Sequence, residues 1–191
     1  MQMVYAGAIV GLTFTGLALV GLNMPMFSGA ETDAAVTEVQ RPVSVGAATT
    51  EPGVLRVGRS AGNAMKFDIQ DFDALPQLVF ETSTIWTDGV STFSGVPVAV
   101  LLEEAGLGEK VAQPEAMLEL VALNDYRVRI PMGEIGPELP IIATRIDGKT
   151  VPIRDKGPYW LVYPYDADPQ FRTEDIYARS IWQLAQMIVI E

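Results

Sequence analysis

The 191-residue chain contains neither cysteine nor histidine. The first absence removes disulfides, thiolate nucleophiles and thiolate metal ligands, and the second removes the commonest neutral metal ligand and general base. Ser–His–Asp, Cys–His and zinc mechanisms are thereby excluded. Basic residues are also scarce: 13 Lys and Arg stand against 24 Asp and Glu, a formal net charge of −11, and no charged side chain occurs in residues 1–30. Such a surface repels phosphate backbones and anionic headgroups, so nucleic acid is not an expected partner. Carboxylates alone could hold a hard cation, but the sequence has no spaced Asp/Asn/Gly loop of the EF-hand kind.

What is present begins with an apolar leader. Tyr5–Leu22 (YAGAIVGLTFTGLALVGL) is uncharged and long enough to span a bilayer or to serve as the apolar region of a secretory signal. Pro25 and then Ser28-Gly29-Ala30 follow, which places small residues at the −3 and −1 positions of a cleavage site before Glu31. Residues 1–30 therefore read as a signal peptide or an uncleaved anchor, and either one puts the domain outside the cytoplasm. Residues 31–52, rich in Ala, Thr, Val and Glu with scattered Pro and Gly, read as a flexible linker, and residues 53–191 as one folded domain.

Short strands separated by turn signals, with few helices, make that domain α+β and β-rich. Val54–Val57 reads as a first strand. Asp68–Leu75 reads as a helix behind an Asp cap, with Ile69, Phe72 and Leu75 at helical spacing. Gln77–Ser83 is a strand leading into a Thr/Ser-rich loop, and 96–106 is a helix that begins at Pro97 and stops at Gly106. Met117–Leu123 and Arg127–Pro131 pair about Asn124-Asp125, and Ile141–Ile146 and Thr150–Ile153 pair about Asp147-Gly148. Pro158–Tyr163 reads as a buried strand. The tail reads as a loop over 166–173, then Ile181, Leu184 and Ile188 at helical spacing, and finally a strand at Ile188–Ile190.

Four segments concentrate polar and aromatic groups: Thr82–Asp88 with Trp86, Asn124-Asp125-Tyr126, Arg154–Pro158 entering a strand with Tyr159, Trp160 and Tyr163, and Tyr177–Trp182 with Arg179 and Ser180. Taken singly, each could be an ordinary capped turn or core packing. Jointly they supply what a flat heteroaromatic ligand needs: aromatic faces, a carboxylate to accept two parallel N–H bonds, and cations for a ring carbonyl.

The runs TFSGVPVAVLLEEAGL (Thr92–Leu107), LNDYRVRIP, IIATRIDGKTVPIRDKGPYWLVYP and SIWQLAQMIVIE occur in an order that resembles the molybdopterin-binding domain of sulfite-oxidase-type oxidoreductases. The resemblance covers about residues 54–191 and implies the compact, β-rich mixed α+β fold of that type. In those enzymes a cysteine just before a tryptophan-containing loop binds molybdenum; the corresponding stretch here is Glu81-Thr82-Ser83-Thr84-Ile85-Trp86, with no thiolate. Lys156 stands where the enzymes have histidine before Gly-Pro. Hydroxyls are poor substitutes for a soft thiolate, which argues against molybdenum.

The chain resembles still more the exported, cysteine-less PruR-like periplasmic pterin-binding proteins. That resemblance implies a tetrahydropterin-like ligand and no catalysis. It also implies a regulatory role: relaying pterin status to the periplasmic sensor region of a membrane-bound signalling protein that controls cyclic di-GMP and surface attachment. The implied ligand contacts are Thr82, Ser83 and Thr84 near the ligand, Trp86 and Trp182 as walls, and Asp125 or Asp155 on the amino-pyrimidine edge. Arg145, Lys156 and Arg179 would meet a carbonyl or polar tail, with Asn124, Tyr126, Tyr163 and Ser180 beside them. A molybdopterin-dependent oxidoreductase and a ligand-free interaction module are the alternatives.

Overall fold

The computed structural model describes residues 51–191 with the exception of Pro114. The expected leader (1–30), and all but the last two residues of the expected linker, lie outside the described residues. Among the described residues no helix is long and apolar enough to cross a membrane.

Among the described residues, ten strands form two sheets. The first sheet contains β1 (Leu55–Ser60), β2 (Asn63–Phe67), β5 (Met117–Ala122), β6 (Arg127–Pro131) and β10 (Leu184–Ile190), in the order β2-β1-β10-β5-β6. The second contains β3 (Leu78–Ser83), β4 (Val90–Pro97), β7 (Ile141–Ile146), β8 (Lys149–Thr150) and β9 (Trp160–Val162). Here β3, β4 and β7 run antiparallel in that order, and β8 and β9 pair with successive stretches of β7: β8 at Arg145 and Ile146, β9 at Ile141–Ala143. Three short α-helices, α1 (Ile69–Ala74), α2 (Val98–Glu104) and α3 (Glu174–Arg179), and three 3-10 turns accompany the sheets among the described residues. Both sheets contribute to one core, with Val57, Leu120 and Met187 from the first and Phe93, Ile142 and Trp160 from the second. The buried stripe of α2, Val98, Leu101 and Leu102, belongs to the same cluster.

Local chemistry explains most element ends. The Asp68 carboxylate caps α1 by accepting from the Gln70 and Asp71 N–H groups, while the Asp71 carboxylate accepts from the Asp68 N–H, a reciprocal capping box. α2 stops where Gly106 turns to φ 69°, and its Schellman bonds run from Gly106 N–H to Glu103 C=O and from Leu107 N–H to Leu102 C=O. Asp147 and Gly148 both adopt positive φ, the type I′ geometry that suits a two-residue hairpin, and Asp125 does so at the β5–β6 turn. Pro97 does not open α2 from inside; it ends β4 and occupies the cap position.

The tail differs from the sequence expectation. The helix is α3, upstream at Glu174–Arg179 and capped by Thr173, whereas Leu184–Ile190 is a single strand throughout. Placed between β1 and β5, β10 is buried on both faces, and such a strand reads as a continuous apolar run with no alternation to distinguish it from helix. The strand expected over Thr150–Ile153 stops at Thr150, because residues 152–157 turn about the Pro152 carbonyl, which accepts from the Asp155 and Gly157 N–H groups. β9 is shorter than Pro158–Tyr163, since the flanking Pro158 and Pro164 have no N–H for a ladder.

Candidate functional site

The loop between β3 and β4 carries Trp86 and is built by its own hydroxyls. Thr84 Oγ1 accepts from the Trp86 N–H at 3.0 Å and bonds Thr87 Oγ1 at 2.8 Å, a Ser/Thr-type turn that fixes where the indole leaves the chain. Trp86 then stands edge-on among four rings, with centroids 5.6 Å from Trp182, 5.8 Å from Trp160 and Tyr177, and 6.2 Å from Tyr165. These are the tilted distances at which ring edges meet ring faces favourably. Below this cluster, Tyr165 donates to Ser180 Oγ at 2.6 Å, Ser180 Oγ donates to the Ile176 carbonyl at 2.7 Å, and Trp160 Nε1 donates to the Ser180 carbonyl at 3.2 Å. Burial pushes the Tyr165 hydroxyl up to about 12, so it remains a proton donor at any physiological pH.

Two hollows flank this aromatic wall. The first, about 330 Å³, is lined by Trp86, Ala122, Asn124, Tyr126, Tyr177, Ser180, Ile181 and Trp182. Its size lies at the small end of the roughly 300–1,000 Å³ usual for small-molecule sites. The Asn124 side-chain oxygen accepts from the Tyr126 N–H at 3.2 Å, which leaves the amide NH₂ as a donor. Tyr126 is 51% exposed and its hydroxyl donates to the Ala178 carbonyl at 3.4 Å.

The second hollow, about 370 Å³, is lined among others by Thr87, Lys149, Thr150, Asp155, Lys156 and Trp160. Lys156 Nζ sits 5.6 Å above the Trp160 ring, a cation–π contact. The Gln183 N–H donates to the Lys156 carbonyl at 3.2 Å and its side-chain amide to the Ile153 carbonyl at 2.6 Å. These two bonds staple the 153–156 turn to the Trp182 segment, so both hollows share one wall.

The residues singled out by sequence thus separate into groups. Trp86, Asn124, Tyr126, Ser180 and Trp182 converge on the first hollow, and Asp155 and Lys156 line the second. Asp125 lies in the turn between Asn124 and Tyr126, with its carboxylate exposed. Arg145 forms a two-nitrogen ion pair with Asp73 of α1 at 2.6 and 2.8 Å, which holds the Asp73 carboxyl below its ordinary value. Tyr163 and Arg179 line a third hollow on the far side of α3.

Thr82, Ser83 and Thr84 are committed to the scaffold. Thr82 is fully buried, accepts from the Asp166 N–H at 3.1 Å and donates to the Ser83 carbonyl at 3.3 Å. Asp166 accepts from both the N–H and the hydroxyl of Ser83, at 2.6 and 2.7 Å, and pairs with Arg172. Those bonds, Ser83 first and Arg172 after, hold the Asp166 carboxyl at about 2. All three hydroxyls are thus hydrogen-bonded inside the protein, and the chain has no thiolate to offer a metal. Among the described residues, no group of three or more Asp or Glu is placed to hold a metal ion.

Sequence reasoning missed Asp166, Tyr177 and Trp160 as parts of the site's frame. Asp166 gives no local signal, because its partner Ser83 lies 83 residues away. Tyr177 and Trp160 were visible as aromatics within the four polar segments, but only packing shows which face of each meets Trp86.

No protein-family model matches the chain, and no curated protein does. Among solved structures the chain is similar to the crystal structure of the sulfane dehydrogenase SoxCD from Paracoccus pantotrophus, with a TM-score of 0.52 at 14% identity. The match covers 71% of this chain and 37% of that one, so the chain spans little more than a third of the neighbour's length. At that identity the likeness shows the fold. The described residues have a sheet-rich α+β fold like that of sulfite-oxidase-type domains.

Proposed function

We propose that the protein is an exported, non-catalytic pterin-binding protein that holds its ligand without molybdenum. The observation that carries the reading is the first hollow, where the aromatic side chains of Trp86, Tyr126, Tyr177 and Trp182 line the wall together with Asn124. A flat heteroaromatic ring packed on indole faces gains stacking beyond its buried area, and a few fixed polar groups set its orientation. Either Asp125 in the adjoining turn or Asp155 across the aromatic wall would accept the amino-pyrimidine N–H pair. Lys156 would meet a ring carbonyl or polar tail. The sulfite-oxidase-type fold and the sequence resemblance to cysteine-less pterin-binding proteins support the same ligand class.

On this reading the protein works by presenting its ligand state to the periplasmic sensor region of a membrane-bound signalling protein that governs cyclic di-GMP and surface attachment. Titration of the purified protein with a tetrahydropterin, followed by tryptophan fluorescence and calorimetry, tests the first part. Saturable binding that quenches the Trp86/Trp182 emission is expected. No saturable binding at several hundred micromolar, a weak affinity of about −5 kcal/mol, overturns it.

A second reading, a molybdopterin-dependent oxidoreductase, has one observation in its favour: the neighbour with the shared fold is itself a dehydrogenase. Metal analysis of the protein purified from a host that makes the cofactor separates the two, since stoichiometric molybdenum would favour the enzyme.

A further inference from the structure

The third hollow, about 430 Å³, lies on the side of α3 opposite the aromatic site: Tyr177 faces the first hollow, while Ile176 and Arg179 face this one. Its lining has an unusual feature. Tyr163 is only 5% exposed as a residue, but its hydroxyl, which no protein group among the described residues bonds, is not among the fully buried atoms and opens onto the hollow. A hydroxyl that lines a hollow without an internal bond is available to donate to a bound molecule. Burial also holds the hydroxyl in its protonated form, as a donor.

Arg179, part-buried beside it, is held to Glu134 through one terminal nitrogen, which leaves its other N–H groups as donors. Two carboxylates, Glu134 and Asp175, line the same hollow, as do the apolar side chains of Phe171 and Ile176. Donors and anionic acceptors therefore share one small space with an apolar wall. A simple anion would meet Arg179 and Tyr163 but be repelled by Glu134 and Asp175, and a simple cation would meet the reverse. A molecule bearing a carboxylate and an ammonium on adjacent atoms satisfies both.

We propose that this hollow binds a free α-amino acid with an apolar side chain. Its carboxylate would lie on Arg179 and the Tyr163 hydroxyl, its ammonium on Asp175 and Glu134, and its side chain against Phe171 and Ile176. The site is separate from the pterin site and stands whether or not a pterin binds.

The test is calorimetric titration of the full chain with L-leucine, 4-methylpentanoate and 3-methylbutylamine, which share one apolar tail and differ in carrying both charges or only one. Leucine should bind saturably, and each single-charge analogue should bind at least about tenfold more weakly. Tyr163→Phe removes only the unpartnered oxygen and Asp175→Asn alters an exposed side chain, so both should fold. Each should weaken leucine by about five- to tenfold. The proposal is overturned if leucine shows no saturable binding at about 10 mM, if either analogue matches it, or if both variants bind leucine as the wild type does.

Discussion

Asp166 grips Ser83 by two atoms at once, accepting from its N–H at 2.6 Å and from its hydroxyl at 2.7 Å, across 83 residues of chain. With Arg172 paired to the same Oδ1 that accepts from the Ser83 hydroxyl, and the Asp166 N–H donating to Thr82, this one residue fixes the end of β3, where the Trp86 loop begins. The ionised form is what all these donors recognise, which is why its carboxyl is held at about 2.

The sign of the pH effect follows from that depression. A carboxyl held low in the folded state contributes stability that is complete above its unfolded value, near pH 4, and is lost as pH falls through the folded value. For Asp166 that loss runs from about pH 4 down to about pH 2. Urea unfolding of wild type and Asp166→Asn should show the wild type more stable at neutral pH, with the difference shrinking across that window. A constant difference from pH 6 to pH 2 would contradict the assignment.

Trp86→Ala should remove the centre of the aromatic cluster. The part-buried indole contacts four rings, so the variant should lose about 2 kcal/mol of stability. Tetrahydropterin affinity should fall about tenfold or more, since a stacking face is worth about 1–3 kcal/mol. Trp86→Phe should recover part of both. Thermal denaturation and ligand titration of the two variants check this.

Gly95 lies on β4 where an added Cβ would come within 2.1 Å of the Ile142 carbonyl oxygen on β7. No side-chain rotation relieves a clash between backbone atoms, so Gly95→Ala should destabilise by about 2–3 kcal/mol or shift the β4–β7 pairing. A midpoint in chemical denaturation within experimental error of wild type would refute this.

Arg145 is occupied by Asp73, whose side chain is 46% exposed, so the pair is solvent-screened and worth at most about 1 kcal/mol. Arg145→Gln should cost no more than that and leave tetrahydropterin affinity within about twofold of wild type, as distant sites behave independently. A tenfold loss of affinity would instead place Arg145 at the ligand.

Much of the fold was legible locally. The Asp68 cap, the Gly106 stop and the Asp147-Gly148 turn each rest on chemistry contained within a few residues, and each recurs in the structure where the sequence places it. Only the end of β10, Ile188–Ile190, was legible, because a strand buried on both faces has no alternation to display and its first half carried apolar residues at helical spacing. Of the candidate site, Trp86, Asn124, Tyr126, Ser180 and Trp182 could be named in advance, but not their separation from Tyr163 and Arg179. The two groups lie on opposite sides of α3, and neighbours in sequence there face different hollows.

By itself the sequence determined the chemistry available: no thiolate and no imidazole, a strongly acidic chain, and aromatics and hydroxyls gathered in four segments. Tertiary structure alone decided which of those groups remain available. The Thr82, Ser83 and Thr84 hydroxyls, which sequence offers as ligand contacts, are hydrogen-bonded within the scaffold, while the Tyr163 hydroxyl, just past the end of β9, opens onto a hollow. The physical reason is that hydrogen-bond satisfaction is settled between atoms brought together from far along the chain, and no local pattern records it.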